Sequence, residues 1–238
     1  MLLLDLPGKW VNRFGASTGL RCFFVFGEVF VVTKEEYLAD PCGAASVPYW
    51  KTGAVIIPQG MVILHHREYV ESPTYADEPY FRLRHDLQDL TMPVLPRGYS
   101  LCKAAPVAFA AHINGCYDGL GVTEGELAGY TTRPVYDAAL WLAVRYDRTG
   151  EIVATGIGEL DRTVGEGILE WIQVSPNHRG KGLGSYLVSE LLRRMKEKAD
   201  FATVSGQCNN SANPERLYRR CGFVGNDIWH ILRKKETK

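Results

Sequence analysis

The second half of the chain alternates between apolar segments of strand length and segments with helical periodicity. From residue 183 onward, apolar residues recur at spacings of four, four, one and three, which predicts a helix with one apolar stripe. The predicted strands are 98–103, 139–146, 151–159, 166–174, 201–205 and 227–233. This alternation predicts an α/β fold.

Helix-capping residues predict further helices in the same half. The segment 213–215, Asn-Pro-Glu, begins with an N-cap residue, and Gly222 is expected just beyond the end of that helix. Thr123 and Glu126 have the spacing of a capping box, which predicts a second helix. A third is expected over 106–114, because proline suits the first position of a helix.

The first half is less regular. The predicted elements are strands over 21–33, 54–58 and 61–65 and a short helix over 34–39. A segment with two prolines, 86–97, is the predicted boundary. It divides the chain into a smaller N-terminal α/β extension, 1–93, and a C-terminal domain, 96–238.

The charge of the chain gives no reason to expect a polyanionic partner. The 238 residues include 27 basic and 27 acidic side chains, so the formal net charge is zero. Neither nucleic acid nor an anionic membrane would attract the protein as a whole. The apolar start, 1–6, lacks a basic flank and is too short for a signal peptide or a membrane span. We therefore expect no nucleic-acid and no membrane partner.

The cysteines favour a reducing compartment. The six cysteines form no C-x-x-C pair, and no histidine stands at the spacing of a zinc site, so no metal is expected. A chain of this length has enough apolar residues for a core and does not depend on disulfides. Free thiols and a cytoplasmic location are predicted.

The segment after the strand 166–174 combines glycine with positive charge. Glycines at 180, 182 and 184 let the backbone approach a ligand closely, and the next helix begins with free N–H groups. Arg179 and Lys181 add full charges, so a phosphate or pyrophosphate is the expected ligand. A P-loop is excluded by the spacing, and a dinucleotide-binding turn fits less well. A purely structural strand-to-helix turn is the remaining alternative.

Two motifs in this half resemble a known family. The pattern R-x-x-G-x-G over 179–184, preceded by V-x-P over 174–176, resembles the acyl-CoA pyrophosphate signature of the GNAT superfamily of N-acetyltransferases. The segment 217–223, which begins with Leu-Tyr and ends with Gly-Phe, is similar to the second hallmark of that family. The resemblance covers 96–236 and implies the mixed-sheet GNAT acyl-CoA N-acyltransferase fold. The first half resembles the N-terminal extensions of some bacterial members.

The resemblance implies an acetyl-CoA-dependent N-acetyltransferase that acts by direct attack of a primary amine on the thioester. The acceptor would be a small molecule or a peptide, and a homodimer is compatible with the family. The residues that the resemblance assigns to acetyl-CoA are Ile172, Gln173, Val174, Arg179, Gly180, Lys181, Gly182, Leu183, Gly184, Asn210 and Asn213. The two asparagines match less closely, because the usual position for that contact falls on Ser211.

Catalysis needs a proton donor for the departing thiolate and a route for the proton of the amine. The resemblance assigns the first role to Tyr218, whose phenol stays protonated at neutral pH. Glu170, on the strand that enters the turn, is the candidate base. Glu159, Asp161 and a water chain without any base remain alternatives, and His178 is expected to be a turn residue.

Two other classes of function stay open. One is a catalytically degenerate acyl-CoA-binding or regulatory protein, which would keep the glycine turn. The other is an interaction protein that uses the aromatic residues of the first half, including the pairs 49–50 and 80–81. Such pairs are more often part of a core.

Overall fold

The computed structural model describes residues 32–55, 57–90, 94–117 and 119–235. The described strands are β1 Met61–His65, β2 Tyr75–His85, β3 Tyr99–Cys102, β4 Trp141–Tyr146, β5 Ile152–Asp161, β6 Glu166–Val174, β7 Phe201–Gln207 and β8 Val224–Lys234. The described helices are α1 Lys34–Ala39, α2 Tyr49–Thr52, α3 Pro106–Cys116, α4 Glu124–Tyr130, α5 Leu183–Met195 and α6 Pro214–Arg220, with short 3-10 turns at Ala138–Leu140 and Pro176–His178.

The strands form one mixed sheet in the order β1-β8-β2-β7-β6-β5-β4-β3. β6 and β7 are parallel and are connected through α5, whereas the other neighbouring strands are antiparallel. The predicted α/β fold with a mixed sheet is confirmed.

Most predicted elements of the second half are present. The strand over 166–174 has the predicted bounds, and so does the helix over 34–39 in the first half. The capping box forms, since the Thr123 hydroxyl accepts a hydrogen bond from the Glu126 N–H at 3.2 Å. Asn213 caps α6 by accepting from the Arg216 N–H at 3.3 Å.

Two expectations for the first half are not met. The predicted strand over 54–58 is wrong for its described residues, none of which is in a strand, and the Pro58 carbonyl accepts the N–H of Met61 at the start of β1. The strand β2 was not predicted. The strand expected over 21–33 lies outside the described residues except for its last two, which are not in a strand.

β2 lies between β7 and β8. Its residues 80–85 pair with β7, and residues 75–84 pair with β8, which pairs in turn with β1. Strands from both sides of the predicted boundary therefore share one sheet. The division into domains 1–93 and 96–238 stays a prediction.

The two faces of the sheet carry separate cores, because neighbouring strand residues point in opposite directions. Leu142 belongs to the core under α5, whereas Ala143 belongs to the core under α3 and α4. α5 lies close to the sheet: a Cβ on Gly158 would stand 2.7 Å from the Cε of Met195. No helix of the described residues is long and apolar enough to cross a membrane.

A buried ion pair attaches the first half to the centre of the sheet. The Arg82 Nη2 donates to the Tyr37 hydroxyl at 2.6 Å and lies 3.4 Å from the Glu166 Oε1. Tyr37 in turn donates to the Glu166 Oε1 at 2.7 Å. Helix α1 is thereby fixed against β2 and β6, next to the elements that carry the candidate site.

Candidate active site

The parallel strands β6 and β7 separate part of the way along their length. Their register runs from Glu166 opposite Phe201 to Leu169 opposite Val204, although β6 continues to Val174. A register shift between β5 and β6 lies at the level where this pairing ends. Such a bulge bends a strand locally. In this register, β7 does not pair with residues 170–174 of β6. Their main-chain groups therefore face an open gap, where an extended ligand can pair as an added strand.

The open part of β6 leads into the predicted glycine turn. A 3-10 turn over 176–178 is followed by Gly180 and Gly182, whose φ angles are +74° and +85°, and α5 then begins at Leu183. Such positive φ angles favour glycine. The first N–H groups of α5 have no partner within the helix, and they lie at the positive end of its dipole. The turn therefore has the anion-binding geometry that the sequence predicts.

The two cations of the turn are held beside it. The Arg179 Nε donates to the Val174 carbonyl at 3.1 Å, and the Lys181 Nζ donates to the Asn177 carbonyl at 3.0 Å. Both side chains are exposed, so they can rearrange toward an anion at low cost. The carbonyl of Val174 thus accepts a hydrogen bond from Arg179, and the charged side chains of Arg179 and Lys181 lie at the end of the gap.

Helix α6 brings the second predicted motif beside the first. A Cβ on Gly184 would lie 3.2 Å from the Cδ2 of Leu217, so the start of α5 contacts α6. The neighbouring Tyr218 is 5% exposed, and its ring lies against Phe81 and Phe223, with centroids 6.1 and 5.8 Å away. Burial raises the pKa of Tyr218, and the charges around it, including Glu170, raise it further. The phenol therefore keeps its proton at neutral pH.

Glu170 belongs to a buried charge cluster, by which we mean Lys51, Arg133, Glu159 and Glu170. The Lys51 Nζ donates to the Glu170 Oε1 at 2.7 Å, and the Arg133 Nη1 donates to the Glu159 Oε1 at 2.9 Å. The two carboxylates are 5% and 2% exposed. Two carboxylates and two cationic side chains thus meet where β5, β6, α2 and the segment after α4 come together.

The acids of the cluster differ in their surroundings. The Glu159 Oε2 is buried and has no hydrogen-bond partner. Burial and the neighbouring carboxylate of Glu170 raise the pKa of Glu159 to about 7, against the opposing effects of Lys51 and Arg133. Glu159 therefore changes its charge near neutral pH.

Aromatic rings surround the cations of the cluster. The Lys51 Nζ and the Arg133 Cζ lie 5.1 and 5.4 Å from the ring centroid of Trp50, and the Arg133 Cζ lies 3.2 Å from that of Tyr130. Burial lowers the pKa of Lys51, but the carboxylates of Glu170 and Glu159 outweigh this effect and raise it overall. Lys51 therefore stays a cation.

The side chains of the remaining predicted CoA residues are engaged in local structure. The Asn210 Oδ1 accepts from the Ala212 N–H at 2.9 Å, and Asn213 caps α6. The Gln173 side chain is buried and donates to the Thr155 hydroxyl. A contact between Gln173 and CoA would therefore use the main chain, and the roles of both asparagines stay predictions.

Two of the alternative residues have structural partners. The Nδ1 of His178 lies 2.9 Å from the Tyr99 hydroxyl and holds the turn against β3. Asp161 accepts from the Thr163 N–H at 2.8 Å, within the turn between β5 and β6. These contacts agree with the expectation that His178 is a turn residue.

Sequence reasoning missed Lys51 and Arg133. Lys51 is 119 positions from Glu170 in the chain, and a lysine after two aromatic residues carries no motif. Arg133 follows the end of α4 and lies 26 positions before Glu159. Only the packing of α2 and α4 on the same face of the sheet reveals their common site.

Among the described residues, one group has the spacing of metal ligands: His65, His66 and Asp227, whose ligand atoms lie within 4.8 Å of one another. Hydrogen bonds engage these atoms, since the His65 Nε2 is 3.0 Å from the Asp227 Oδ1 and the His66 Nδ1 accepts from the Ile228 N–H at 3.2 Å. The group lies on β1, β8 and the turn after β1, on the far side of β2 and β7 from β6. It is not part of the candidate site.

A comparison with family models identifies the segment that carries the candidate site. Residues 107–223 match the model described as the acetyltransferase (GNAT) family. This chain carries a GNAT acetyltransferase domain. The matched segment contains the open part of β6, the glycine turn and Tyr218. The activity of the family is acyl transfer from an acyl-CoA to an amine.

Solved structures share this fold at low sequence identity. A GCN5-related N-acetyltransferase from Sphaerobacter thermophilus gives a TM-score of 0.58 at 21% identity, over 67% of this chain and 52% of that one. A Drosophila protein gives 0.52 at 18% identity, over 68% of this chain and 52% of that one. The chain thus spans about half the length of these relatives. No curated protein matches the chain.

Proposed function

We propose that the protein transfers an acetyl group from acetyl-CoA to a primary amine by direct attack on the thioester. The observation that carries the proposal is the open part of β6, which runs from Glu170 of the buried charge cluster to the glycine turn, where α6 with Tyr218 packs against the start of α5. An extended, anion-ended molecule fits this path, and pantetheine attached to a pyrophosphate is such a molecule.

In this proposal, residues 172–174 pair with the pantetheine arm through main-chain groups, as an added strand would. The N–H groups over 179–184 bind the pyrophosphate, and Arg179 and Lys181 add charge there. Asn210 and Asn213 contact the CoA further along, once their loop contacts rearrange. Acetyl-CoA itself supplies the activated carbonyl.

The chemistry takes place between the buried charge cluster and Tyr218. A carboxylate of the buried charge cluster, Glu170 in the prediction from sequence, accepts a proton from the ammonium of the acceptor. Tyr218 donates its proton to the thiolate as the carbon–sulfur bond breaks. The acceptor is a small molecule or a peptide, and the reaction takes place in the cytoplasm.

The test is release of CoA thiol from acetyl-CoA with a panel of spermidine, glucosamine, glycinamide, lysine and a tetrapeptide with a free N-terminus. We expect turnover with at least one amine. Equilibrium binding of CoA without turnover of any amine would instead support the alternative, a catalytically degenerate acyl-CoA-binding or regulatory protein. An absence of CoA binding would contradict both.

The glycine turn offers a matched pair of variants. Gly180 and Gly150 have φ angles of +74° and +76°, and a Cβ at either position would meet nothing within 4 Å. We expect Gly180→Ala and Gly150→Ala to cost a similar amount of stability, about 1 kcal/mol. Only Gly180→Ala should weaken CoA binding, by about tenfold, because its methyl group occupies the approach of the phosphates. Equal CoA affinity in both variants, measured by calorimetry, would argue against the proposed pyrophosphate site.

A further inference from the structure

We propose that Glu159, rather than Glu170, is the group that takes the proton from the acceptor amine, and that Lys51 of the N-terminal segment engages the Glu170 carboxylate in an ion pair beside it. This inference rests on the proposed function and concerns the same site. It assigns different roles to two carboxylates that the sequence alone does not distinguish.

The first argument is the ion pair of Glu170. Its Oε1 lies 2.7 Å from the Lys51 Nζ, and the side chains are 3% and 18% exposed, so the pair is largely shielded from water. The Oε1 of Glu170 is thus engaged by a cation that an acceptor ammonium would have to displace.

The second argument is the free oxygen of Glu159. Arg133 occupies the Oε1 at 2.9 Å, whereas the Oε2 is buried without a hydrogen-bond partner. A buried acceptor without a partner costs free energy, and a bound ammonium would satisfy it. The Oε2 of Glu159 is thus the one carboxylate oxygen of the cluster that the structure records as buried and without a partner.

The third argument is the balance of charges that face Glu159. Glu170 faces it from β6, Lys51 from α2, and Arg133 from the segment after α4, where Tyr130 of that helix contacts the guanidinium. The like charge and burial together outweigh the two cations, so Glu159 is protonated and deprotonated near neutral pH. A base whose pKa is close to the operating pH is the most effective.

The proposed steps conserve protons and electrons. One N–H proton of the acceptor ammonium moves to the Oε2 of Glu159, and the freed lone pair forms the C–N bond with the thioester carbonyl. The C–S bond then breaks, its electron pair stays on sulfur, and the thiolate takes the proton of Tyr218. The nitrogen of the new amide loses its second proton to the Tyr218 phenolate, which restores the phenol. Glu159 then releases its proton to solvent.

The first experiment needs no acceptor. The δ-carboxyl carbons of ¹³C-glutamate in the full chain are titrated by NMR, and the resonances are assigned with Glu159→Gln and Glu170→Gln. We expect a titration near pH 7 that is lost in Glu159→Gln and retained, at lower pH, in Glu170→Gln, because the like charge has been removed. Loss of the near-neutral titration in Glu170→Gln would overturn the assignment, even if no amine in the panel is turned over.

The second experiment is the pH dependence of kcat with the amine of the panel that reacts fastest. Glu159 must be ionised to act, so activity should rise with pH through about 7. Glu159→Gln should lower kcat about a hundredfold and remove this rise. Glu170→Gln should keep the rise and move it to lower pH. A rise that persists in Glu159→Gln would overturn the inference, whereas an inactive wild type would count against the proposed function instead.

Folding of the variants is checked by thermal unfolding and CoA affinity. If Glu159→Gln does not fold, Glu159→Asp replaces it. Aspartate keeps a carboxylate, but its shorter side chain holds the carboxylate oxygen further from the acceptor amine. We therefore expect a lower kcat, with the rise of activity with pH preserved. An unchanged kcat in Glu159→Asp would contradict the role of the Oε2.

Discussion

Burial determines what the candidate catalytic residues can do at the residue scale. Tyr218 lies among aromatic rings, and removal from water disfavours its phenolate, so the residue is kept as a proton donor. Burial acts in the same direction on Glu159, but there it creates a proton acceptor that is half ionised near neutral pH. The same physical effect thus keeps the proposed acid protonated and raises the proton affinity of the proposed base.

The role of Tyr218 is tested by Tyr218→Phe. We expect the variant to bind CoA as the wild type does and to lower kcat by about tenfold or more, because a phenyl ring fills the same space but cannot donate a proton. Steady-state CoA release and calorimetry measure the two quantities. The matched control is Tyr80→Phe, which alters a buried tyrosine in the core of β1, β2 and β8. Unchanged turnover in Tyr218→Phe, with chemistry rate-limiting, would reject the assignment.

The residues found from sequence and those that were missed differ in one respect. The glycine turn and Tyr218 belong to short motifs, whose chemistry is contained in a few consecutive positions. Lys51 contacts Glu170 from 119 positions away, and no local pattern marks either residue as the partner of the other. The charge cluster is a product of packing, which the sequence does not display.

Elements were predictable where their own residues determine them. β6 contains a run of mainly apolar residues and is followed by a turn that begins with proline, so its bounds could be predicted. β2 contains Asp77, Glu78 and Pro79, which interrupt the apolar pattern of a strand. It is a strand because β7 and β8 pair with it on both sides, at sequence separations above 100 residues.

The attachment of α1 to the sheet depends on Arg82. Its guanidinium donates to the Pro41 carbonyl at 3.1 Å and to Ser205 at 3.2 Å, besides its contacts with Tyr37 and Glu166. We expect Arg82→Met to lower the free energy of unfolding by about 3 kcal/mol, because it leaves Glu166 buried without its cation. Denaturant unfolding measures this change.

The control for Arg82 is an exposed ion pair on the same sheet. Arg233 lies 3.4 Å from Glu78, and the two side chains are 49% and 38% exposed. Arg233→Met should change the free energy of unfolding by less than about 1 kcal/mol. The double variant Arg82→Met with Glu166→Met should recover part of the lost free energy of unfolding, because neither charge of the buried pair remains. A loss below about 1 kcal/mol in Arg82→Met would show that α1 is held mainly by apolar contacts.

At the scale of the whole molecule, the order of the sheet joins the two halves of the chain. The GNAT family match covers 107–223, but β2 lies between β7 and β8, outside that segment. Removal of β2 would expose one edge of β7, which is next to the gap, and would separate β8 from the rest of the sheet. The N-terminal segment also supplies Lys51 to the charge cluster. It is therefore part of the structure that supports the site.

This arrangement predicts the behaviour of the C-terminal fragment 96–238. We expect the isolated fragment to lack a cooperative thermal transition and to bind CoA more weakly than the full chain, because β7 and β8 lose their common neighbour and an unpaired strand edge favours aggregation. Co-expression with the segment 32–95 should restore a soluble complex, since strand pairing can form between separate chains. A fragment that unfolds cooperatively at the midpoint of the full chain would instead support an autonomous domain with its boundary at 93–96.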